Sequence, residues 1–561
     1  MSEARAALAH IHLATGERLR PPPVPPEPWR SAATEGGPLE ALWLLCRAVE
    51  GPTDPADAPV ALVAGPVAGV PAPGLARTVA IGLSPLSGGV AETRAEGPFA
   101  AGLRGAGVTG VVLHGRAAEP VVVVIEDGEV RLDPCAPWGL ATDAATDELL
   151  ARYGAGARVA VIGPAGENGV RYASVVTCRE HVLPRLGFGA VLGAKRVKAV
   201  VCLGDAAAPV ADPRALAAIA ADYATRMPAN PLTAWQHGRP GFSIWRSPPG
   251  YAPVANFADT RSAGGVDPDG APPLDGVAAC PGCPTDCMKI YAGAGLPQET
   301  LAALGPNIGD TDPWLLHTRC VRLGVDPVSF AGTVAAAGIP GPDVPAVLEA
   351  LARGDDPYGL AGGAARLWRA GRAALPAMTS KDVELPPFDP RVQPNLGLGY
   401  AVAPIGPRYD ILEHDLDFTA DGGMSHAFAE AARLGLTVPR PLGELDPAGT
   451  ATLMRLWSGL DALGVCLFAA TPTRPLSLAD VTGLVAAVTG ARVDVLALGA
   501  LRLRLQRAVN RRLGIGLDRD RLPDRFFDEP IGAGPYAGAV LRRGPFAAAV
   551  ARLHKELGFV E

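Results

Sequence analysis

A C-x2-C-x3-C triplet is the sequence feature that most restricts what this chain can fold into. Cys280, Cys283 and Cys287 place three thiols in one short loop. Thiolates at this density are typical of a metal centre, and both tetrahedral zinc and a cubane iron–sulfur cluster need four protein ligands. The fourth ligand must come from a distant part of the chain. Cys466, which follows Asp461 in the segment 461–468, is the best candidate.

The same cysteines leave one alternative open and disfavour another. A structural zinc knuckle stays open, although zinc sites usually present C-x2-C pairs twice, with Cys or His. A radical-SAM enzyme has the reverse order, C-x3-C-x2-C, so that class is disfavoured. The spacing therefore favours a cluster and leaves zinc as the competing interpretation.

Length and charge limit the other possibilities. The chain has 561 residues, more than one hydrophobic core usually organises, so we expect two or three domains with room for a buried cofactor. The 50 Lys and Arg residues against 57 Asp and Glu give a net charge of −7. We therefore expect neither nucleic acid nor a membrane surface as a partner.

Cysteine usage and the N-terminal residues predict the compartment. Nine cysteines over this length, three of them in the triplet, indicate reduced thiols rather than a disulfide framework. The N-terminal residues lack a basic region followed by an apolar run, so we expect no secretory, twin-arginine or membrane-spanning segment. These features predict a cytoplasmic protein.

The pattern of apolar residues predicts an α+β fold. Up to about residue 205, β-branched runs alternate with Gly and Pro, which is typical of a substantial sheet, and Ala- and Leu-rich helical patterns dominate afterwards. The predicted strands are 60–64, 76–83, 110–114, 121–126, 159–163 and 197–203. We predict a β-rich N-terminal domain over residues 1–208 and two mainly α-helical domains. These cover residues 209–388, with the triplet, and 389–561, with Cys466.

Several collinear segments give the chain a family resemblance. Together with the triplet and Cys466, they resemble the tungsten-containing aldehyde ferredoxin oxidoreductase family over essentially the whole chain. The segments are Gly65-Pro66 with Arg77, Ser84–Gly88, Ile162–Asn168, Arg185–Lys195, Leu385–Arg391, Gly397–Ala401, Leu522–Phe526 and Glu529-Pro530.

The resemblance implies two cofactors and an electron partner. Cys280, Cys283, Cys287 and Cys466 match the family's ligands to a [4Fe–4S] cluster, which passes electrons to ferredoxin or a ferredoxin-like subunit. A bis-pyranopterin centre holding tungsten, or molybdenum, would lie beside the cluster on the β-rich domain. A two-electron oxidation at a buried metal must be passed on as single electrons, which iron–sulfur chemistry can do. A small-molecule substrate and a homodimer are also implied.

Five residues match family positions near the pterin. Arg77, Arg185, Gly187 and Gly189 lie in glycine-rich stretches whose backbone could approach the cofactor closely, and Asp461 opens the D-x-x-G-x-C form of the pterin-contacting motif. For each arginine, an ordinary surface position is the alternative. The resemblance therefore assigns these five residues to the cofactor as an expectation.

The catalytic end departs from the family pattern. Ungapped counting places Glu299 on the family's glutamate, a candidate general base, and Tyr409 where a histidine is expected. Since a tyrosine loses its proton only near pH 10, Asp410 or His414 would take over the acid–base role, or the role would disappear. A solvated turn at Glu299 and local surface pairs, Arg408–Asp410 and His414–Asp415, are the alternatives.

Further departures concern the cofactor and the dimer. Val321 takes the place of an aspartate in the second pterin-contacting motif, and Thr93–Gly97 brings Arg94 and Glu96 to a phosphate-binding loop that usually has small and amide residues. A glutamate beside phosphate needs a compensating cation, such as Mg²⁺ or Arg94. The Glu-x-x-His pair of the family's dimer-bridging metal is absent at 315–318, so that metal is not expected.

Three functions remain open on the sequence alone. The first is oxidation of an aldehyde to a carboxylate, or the reverse reduction, at tungsten. The second keeps the cofactors but uses a substrate other than a simple aldehyde. The third is a non-catalytic member that serves as a cluster-binding electron-relay subunit. All three keep the four cysteines, so metal and pterin content would discriminate among them.

Overall fold

The computed structural model describes residues 7–20, 30–31, 34–237, 252–260, 271–297, 299–470 and 472–559. Within these ranges, strands dominate up to Leu203 and helices dominate afterwards. No helix in the described ranges combines the length and the apolar character needed to cross a membrane.

The first sheet is a six-stranded mixed sheet with the order β2-β1-β6-β3-β4-β5. Its strands β3, β4 and β5 are buried at every position, as expected for a sheet covered on both faces. Most neighbours are antiparallel, while β1 and β6 run parallel. The strands are β1 (Leu8–His12), β2 (Arg18–Leu19), β3 (Val60–Ala64), β4 (Thr78–Leu83), β5 (Val90–Ala95) and β6 (Gly110–His114).

The second sheet is also six-stranded, with the order β11-β10-β9-β12-β7-β8. Its central strands are Val-rich runs whose β-branched side chains suit a pleated, buried surface. The pair β7 and β12 is parallel, and the remaining pairs are antiparallel. The strands are β7 (Val121–Glu126), β8 (Glu129–Pro134), β9 (Arg158–Ile162), β10 (Val175–Thr177), β11 (His181–Leu183) and β12 (Val197–Leu203).

Five helices accompany the two sheets. Four of them share the largest hydrophobic core, and the third in chain order packs Ala145 and Leu149 into a separate core against the second sheet. Leu42 and Leu45 of the first helix pack into the largest core with Leu62 and Val79 from the first sheet. The helices are α1 (Pro38–Ala48), α2 (Phe99–Gly105), α3 (Thr142–Tyr153), α4 (Pro164–Glu167) and α5 (Phe188–Ala194).

The rest of the described chain is mainly helical. Several helices begin with Asp-Pro, in which the carboxylate accepts backbone N–H bonds and proline occupies the first helical position. The helices are α6 (Pro213–Arg226), α7 (Pro231–His237), α8 (Thr300–Leu304), α9 (Pro313–Leu323), α10 (Pro327–Ala337), α11 (Val344–Ala352), α12 (Ala364–Arg369), α13 (Pro394–Val402), α14 (Phe428–Arg433), α15 (Pro447–Leu463), α16 (Leu478–Thr489), α17 (Val495–Arg512), α18 (Arg525–Asp528) and α19 (Arg543–Leu557).

Helices α15 and α17 form the closest pair in this region. A Cβ on Gly459 would lie 2.1 Å from the Val495 carbonyl oxygen, and one on Gly499 would lie 1.8 Å from the Arg455 carbonyl oxygen. The two glycines therefore let the helix backbones approach closely. This contact places the C-terminal half of α15, which leads to Cys466, against the first turns of α17.

Seven short strands form small sheets outside the two main ones. The strand pair at 379–384 lies in the proline-rich segment 376–390, and most residues of this segment are buried. The short strands are β13 (Pro253–Val254), β14 (Asp259–Thr260), β15 (Leu274–Val277), β16 (Lys289–Tyr291), β17 (Ala294–Gly295), β18 (Thr379–Ser380) and β19 (Val383–Glu384).

The predicted α+β fold class is confirmed, since two six-stranded sheets precede a mainly helical region. The predicted domain limits at 208 and 388 remain predictions, although β12 ends at Leu203 and α6 begins at Pro213.

Candidate functional site

The loop 65–77 of the first sheet holds the Cys466 segment against the sheet. A Cβ on Gly65 would lie 2.2 Å from Cα of Gly464, and Gly464 ends α15 in the left-handed conformation at φ +82°. Only glycine meets both conditions without strain. The Cys466 N–H donates to the Gly74 carbonyl oxygen at 2.8 Å, so Cys466 is fixed on this loop by backbone contacts.

The same loop also receives the cysteine triplet. A Cβ on Gly282, which has φ +71°, would lie 2.2 Å from the Pro71 carbonyl carbon. The turn is closed by a hydrogen bond from the Cys283 N–H to the Cys280 carbonyl oxygen at 3.0 Å. Tyr223 of α6 hydrogen-bonds Thr285 at 2.6 Å between hydroxyl oxygens and anchors the loop from the helical side.

The four thiols lie close enough to affect one another's ionisation. Burial raises the pKa of Cys280, Cys287 and Cys466, and neighbouring thiolates of the set raise it further. For Cys287 the pKa rises to about 12. Among the described residues, no three His, Cys, Asp or Glu side chains are grouped as a single metal ion would require. The thiols therefore share one neighbourhood without closing around a single point.

Asp461 lies next to the cysteines at the centre of a buried ion-pair network. Its Oδ1 accepts from Arg77 Nη1 at 2.5 Å, and its Oδ2 accepts from Arg94 Nη2 and, at 3.3 Å, from Arg502 Nη1. The Asp461 side chain is 2 % exposed. Three arginines thus use three of the roughly four lone-pair positions of one carboxylate.

The network extends on both sides of Asp461. Arg77 donates two hydrogen bonds to Glu96 Oε1, from Nε at 2.8 Å and from Nη2 at 2.5 Å. Arg408 donates two hydrogen bonds to Asp410, from Nε at 2.7 Å and from Nη2 at 3.0 Å. Arg94 reaches Asp410 at 3.1 Å. The remaining ion pair joins Arg502 to Glu92.

The pKa shifts of the network reflect these contacts. Burial alone would raise the pKa of Asp410, but Arg408 and Arg94 hold it well below its usual range. Burial alone would lower the pKa of Arg77, but Glu96 and Asp461 raise it. Asp410 and Arg77 are therefore charged at neutral pH.

A cavity of about 100 Å³ lies between the network and the cysteines. Cys280 and Cys287 line one side, and Glu299 and Tyr409 line another. Leu296, Phe468 and other apolar side chains complete the wall. The cavity therefore brings two cysteines of the triplet and three predicted catalytic residues, Glu299, Tyr409 and Asp410, to one place.

Glu299 is buried in this wall, so it is not a solvated turn residue. Burial raises its pKa, Arg185 and Arg408 lower it and Asp410 raises it, and the resulting pKa is about 8. Its Oε2 is buried and has no hydrogen-bond partner among the described residues. At neutral pH the carboxyl group is therefore mostly protonated and can donate a proton.

Glu299 should make the stability of the protein depend on pH. Its pKa is about 8 in the folded chain, whereas the ordinary pKa of a glutamate, expected in the unfolded chain, is 4.5. The protonated group therefore favours the folded state fully below about pH 4.5, and this contribution is lost as the pH rises through 8, with a slope approaching about 1.4 kcal/mol per pH unit. Urea unfolding at several pH values should show a smaller loss of stability for Glu299→Gln than for wild type between pH 5 and 8. Parallel curves would contradict the buried, neutral carboxyl group.

Arg185 lies in a strained turn beside a second, smaller cavity. Arg185 and Leu186 have φ +66° and +59°, unusual for residues other than glycine, and such strain is concentrated at functional sites. Arg185 Nη2 donates to the carbonyl oxygens of Glu384 and Pro407, and Nη1 forms a long ion pair with Asp326 at 3.9 Å, whereas the buried Nε has no hydrogen-bond partner in the described chain. The guanidinium is therefore neither a surface group nor fully satisfied.

Gly187 and Gly189 have a packing role in this turn. A Cβ on Gly187 would lie 2.1 Å from the Arg171 carbonyl oxygen, and one on Gly189 would lie 2.4 Å from the Ser174 carbonyl oxygen. Neither glycine lines the 100 Å³ cavity or the smaller one. Their assignment to a cofactor remains a prediction.

The segment 408–415 is mostly buried. The Arg408–Asp410 pair proposed as a surface contact exists, but its side chains are only 3 % and 6 % exposed. His414 Nε2 lies 3.1 Å from the Tyr409 carbonyl oxygen, and burial lowers the His414 pKa to about 4. Asp415 pairs with Arg440 instead of His414. The pKa of Tyr409 is raised by burial and then by Glu299 and Asp410.

Val321 lines the smaller cavity, which measures about 20 Å³. Val176, Val182 and Val325 line it together with polar residues that include Glu299, His317 and Asp326. Where the resemblance would place an aspartate that accepts pterin N–H bonds, the described structure thus has the apolar side chain of Val321 in a small, partly polar cavity.

The residues present fit the two implied cofactors to different degrees. Four thiols on one scaffold are the donor set of an iron–sulfur cluster, so the cysteines fit a cluster. The unpartnered Arg185 and Glu299 atoms could bind a polar ligand. However, Arg77 and Asp461 are engaged with each other and with Arg94, Arg502 and Glu96, so they do not fit a pterin as they are arranged.

Sequence reasoning named six of the eight network residues, but it missed Glu92, Arg502 and the pairs between the sheet and the helical part. The alternating charges of the buried strand β5 are the signal that could have found Glu92, since charged residues are rarely buried unless paired. Arg502, in the otherwise apolar face of α17, gives the same signal. Tyr223 and Thr285, which anchor the triplet, give no distinct signal.

Comparison with known proteins supports the family resemblance. Residues 9–204 match the N-terminal domain of aldehyde ferredoxin oxidoreductase, and residues 343–561 match its domains 2 and 3. The chain is 27 % identical over 564 residues to the tungsten-containing aldehyde ferredoxin oxidoreductase of Pyrococcus furiosus, covering 90 % of this chain and 88 % of that one. The Thermococcus kodakarensis enzyme of the same name is 26 % identical with the same coverage.

Two further relatives differ in their chemistry. The WOR-like subunit of an aliphatic sulfonate oxidoreductase from Pyrococcus furiosus is 26 % identical over 282 residues, or 45 % of each chain. A chain of the active-site complex BamBC of benzoyl coenzyme A reductase, solved with 1,5-dienoyl-CoA, superposes with a TM-score of 0.78 at 20 % identity, covering 99 % of this chain and 94 % of that one. The latter likeness shows a shared fold.

The two family matches together span most of the chain, which therefore belongs to the aldehyde ferredoxin oxidoreductase family of oxidoreductases.

Proposed function

We propose that this chain is a redox protein of its family that transfers single electrons through one [4Fe–4S] cluster. The cluster would be held by Cys280, Cys283, Cys287 and Cys466. The observation that supports the proposal most is that one loop, 65–77, packs against both the triplet and the Cys466 segment. A cubane is larger than a single ion and holds its thiolates further apart, which suits the four thiols better than zinc does.

The position of the triplet supports exchange of electrons with another protein. Cys280, Cys283 and Cys287 are half-buried, whereas Cys466 is 7 % exposed. The cluster would therefore have one edge near the surface and one edge facing the ion-pair network. A ferredoxin or a ferredoxin-like subunit is the proposed partner. All nine cysteines are free thiols in the structure, which suits the reducing cytoplasm.

Electron exchange tests this proposal directly. The anaerobic, dithionite-reduced protein, freed of excess reductant, would be mixed with oxidised ferredoxin in a stopped-flow instrument. We expect bleaching of the ferredoxin absorbance to accompany re-oxidation of the protein's cluster. A protein that holds iron but exchanges no electrons with ferredoxin or with a viologen would contradict the proposal.

The second candidate function is a two-electron reaction on a substrate other than a simple aldehyde, at a tungsten or molybdenum bis-pyranopterin centre. The proton-bearing Glu299 and the unpartnered Nε of Arg185 favour it. Such a centre supplies two-electron redox chemistry when bound. In this chain, Glu299 would hold or release a proton and Tyr409 would border the substrate. Arg77 already balances the charge of Glu96, so Mg²⁺ would be needed only for a bound pterin phosphate. Simple aldehyde oxidation is less favoured because Tyr409 replaces the expected histidine.

The pH dependence of turnover would identify the second candidate. A substrate-dependent reduction of viologen with an apparent pKa near 8, lost in Glu299→Gln, would support it. Tyr409→Phe serves as the matched cavity variant, which should change KM or kcat without moving that apparent pKa. Absence of turnover with aldehydes, carboxylates and acyl thioesters in a fully metal-loaded preparation would leave the electron-transfer proposal alone.

A further inference from the structure

The buried ion pairs beside the cysteines form a closed set without net charge. It contains four arginines and four carboxylates, and each of the eight side chains is paired with at least one other member of the set. Seven of the eight are at most 6 % exposed, and Glu96 is 23 % exposed. The N-terminal sheet contributes Arg77, Glu92, Arg94 and Glu96, and the helical part contributes Arg408, Asp410, Asp461 and Arg502.

This set occupies the position where the resemblance puts one pterin. It includes Arg77 and Asp461, the two residues that match pterin contacts on this side, and uses their polar atoms for each other. A pterin N–H group could reach Asp461 only by displacing an arginine. A pterin phosphate would find Arg77 and Arg94 already bonded to carboxylates, in a set whose positive charges are balanced and so attract it little.

The cavities at the two implied pterin positions are also small. The cavity beside the cysteines measures about 100 Å³, and the one beside Val321 measures about 20 Å³. Binding sites for cofactors and drug-sized ligands usually measure about 300–1,000 Å³. In the described part of the chain, therefore, neither of the two implied pterin positions offers the room that a pterin needs.

We propose that the ion-pair set replaces the pterin contacts, so that this chain folds and binds its cluster without a bis-pyranopterin tungsten or molybdenum centre. The set joins the first sheet to α15 and α17, which is the junction that a cofactor would otherwise fill. The inference does not depend on the cluster assignment, because it rests on side chains that are not cluster ligands.

Charge-balanced variants test whether the set is a self-sufficient part of the core. Arg502→Met leaves Glu92 without its cationic partner, and Glu92→Gln removes the opposite charge. We expect either single variant to lower Tm by several degrees, and the neutral double variant to recover at least half of that loss. These residues do not contact the cysteines. Single variants with an unchanged Tm would overturn the structural role of the set.

Cofactor content tests the inference itself. The chain and the Pyrococcus furiosus relative would be produced side by side, anaerobically, in one host that makes both tungsten and molybdenum pterins. Pterin would be measured by fluorescence after oxidation, and metals by mass spectrometry. We expect this chain to contain less than a tenth as much pterin, tungsten and molybdenum per chain as the relative. About two pterins per chain would overturn the inference. Iron content, measured in the same sample, reports separately on the proposed cluster.

Discussion

Replacing Cys466 with alanine is expected to destroy the intact cluster without unfolding the chain. A cubane that loses one thiolate loses an iron or falls apart, so the variant should have a reduced iron content or a converted cluster. The backbone around Cys466 is held by its N–H bond to Gly74 and by packing of Gly464 on Gly65, and both survive the substitution. The measurements are iron per chain and the EPR spectrum of the anaerobic, reduced protein.

Cys135→Ala is the matched control for this experiment. Cys135 is a half-buried thiol just after β8, at an edge of the second sheet, and it is not one of the four proposed ligands. The Cys135→Ala protein should retain the full iron content and the wild-type EPR spectrum. A Cys466→Ala protein with full iron and an unchanged spectrum would remove Cys466 from the ligand set.

Asp461→Asn should cause the largest loss of stability among single substitutions in the ion-pair network. The change leaves three arginines around a neutral amide, and removing one partner from a buried ion pair costs about 3–5 kcal/mol. The shift of the urea midpoint measures this loss. Aspartate and asparagine have nearly the same volume, so packing should change little.

Asp524→Asn is the exposed counterpart of this substitution. Asp524 pairs with Arg543 at 2.8 Å, but its side chain is 83 % exposed, so its loss should cost at most about 1 kcal/mol. Equal urea midpoints for the two variants would mean that Asp461 does not hold the network together.

The fold class could be predicted because its signals are local. β-branched runs such as Val121–Glu126 and Asp-Pro starts such as Asp446-Pro447 are visible in a few residues of sequence. β5 (Val90–Ala95) was missed because its alternating charges resemble an exposed segment. Those charges are buried only because the helical part supplies their partners.

The candidate site was predictable to the extent that motifs mark it. The cysteines were found from the triplet, and Glu299 was found from collinear counting. In the structure, Cys280, Cys287 and Glu299 line one cavity, whereas Cys283 and Cys466 do not. The network could not be foreseen, because its pairs join residues such as Arg77 and Asp461, 384 positions apart, or Glu92 and Arg502, 410 positions apart. The raised pKa of Glu299 likewise depends on burial that no local pattern encodes.

Iron, acid-labile sulfide and EPR, measured together on the anaerobically purified wild-type protein, test the central claim most directly. The account predicts about four iron and four sulfide per chain, and an EPR signal that appears on reduction with dithionite and disappears on re-oxidation. One zinc per chain, with no visible absorption and no EPR signal after reduction, would contradict the cluster and favour a zinc knuckle at Cys280, Cys283, Cys287 and Cys466.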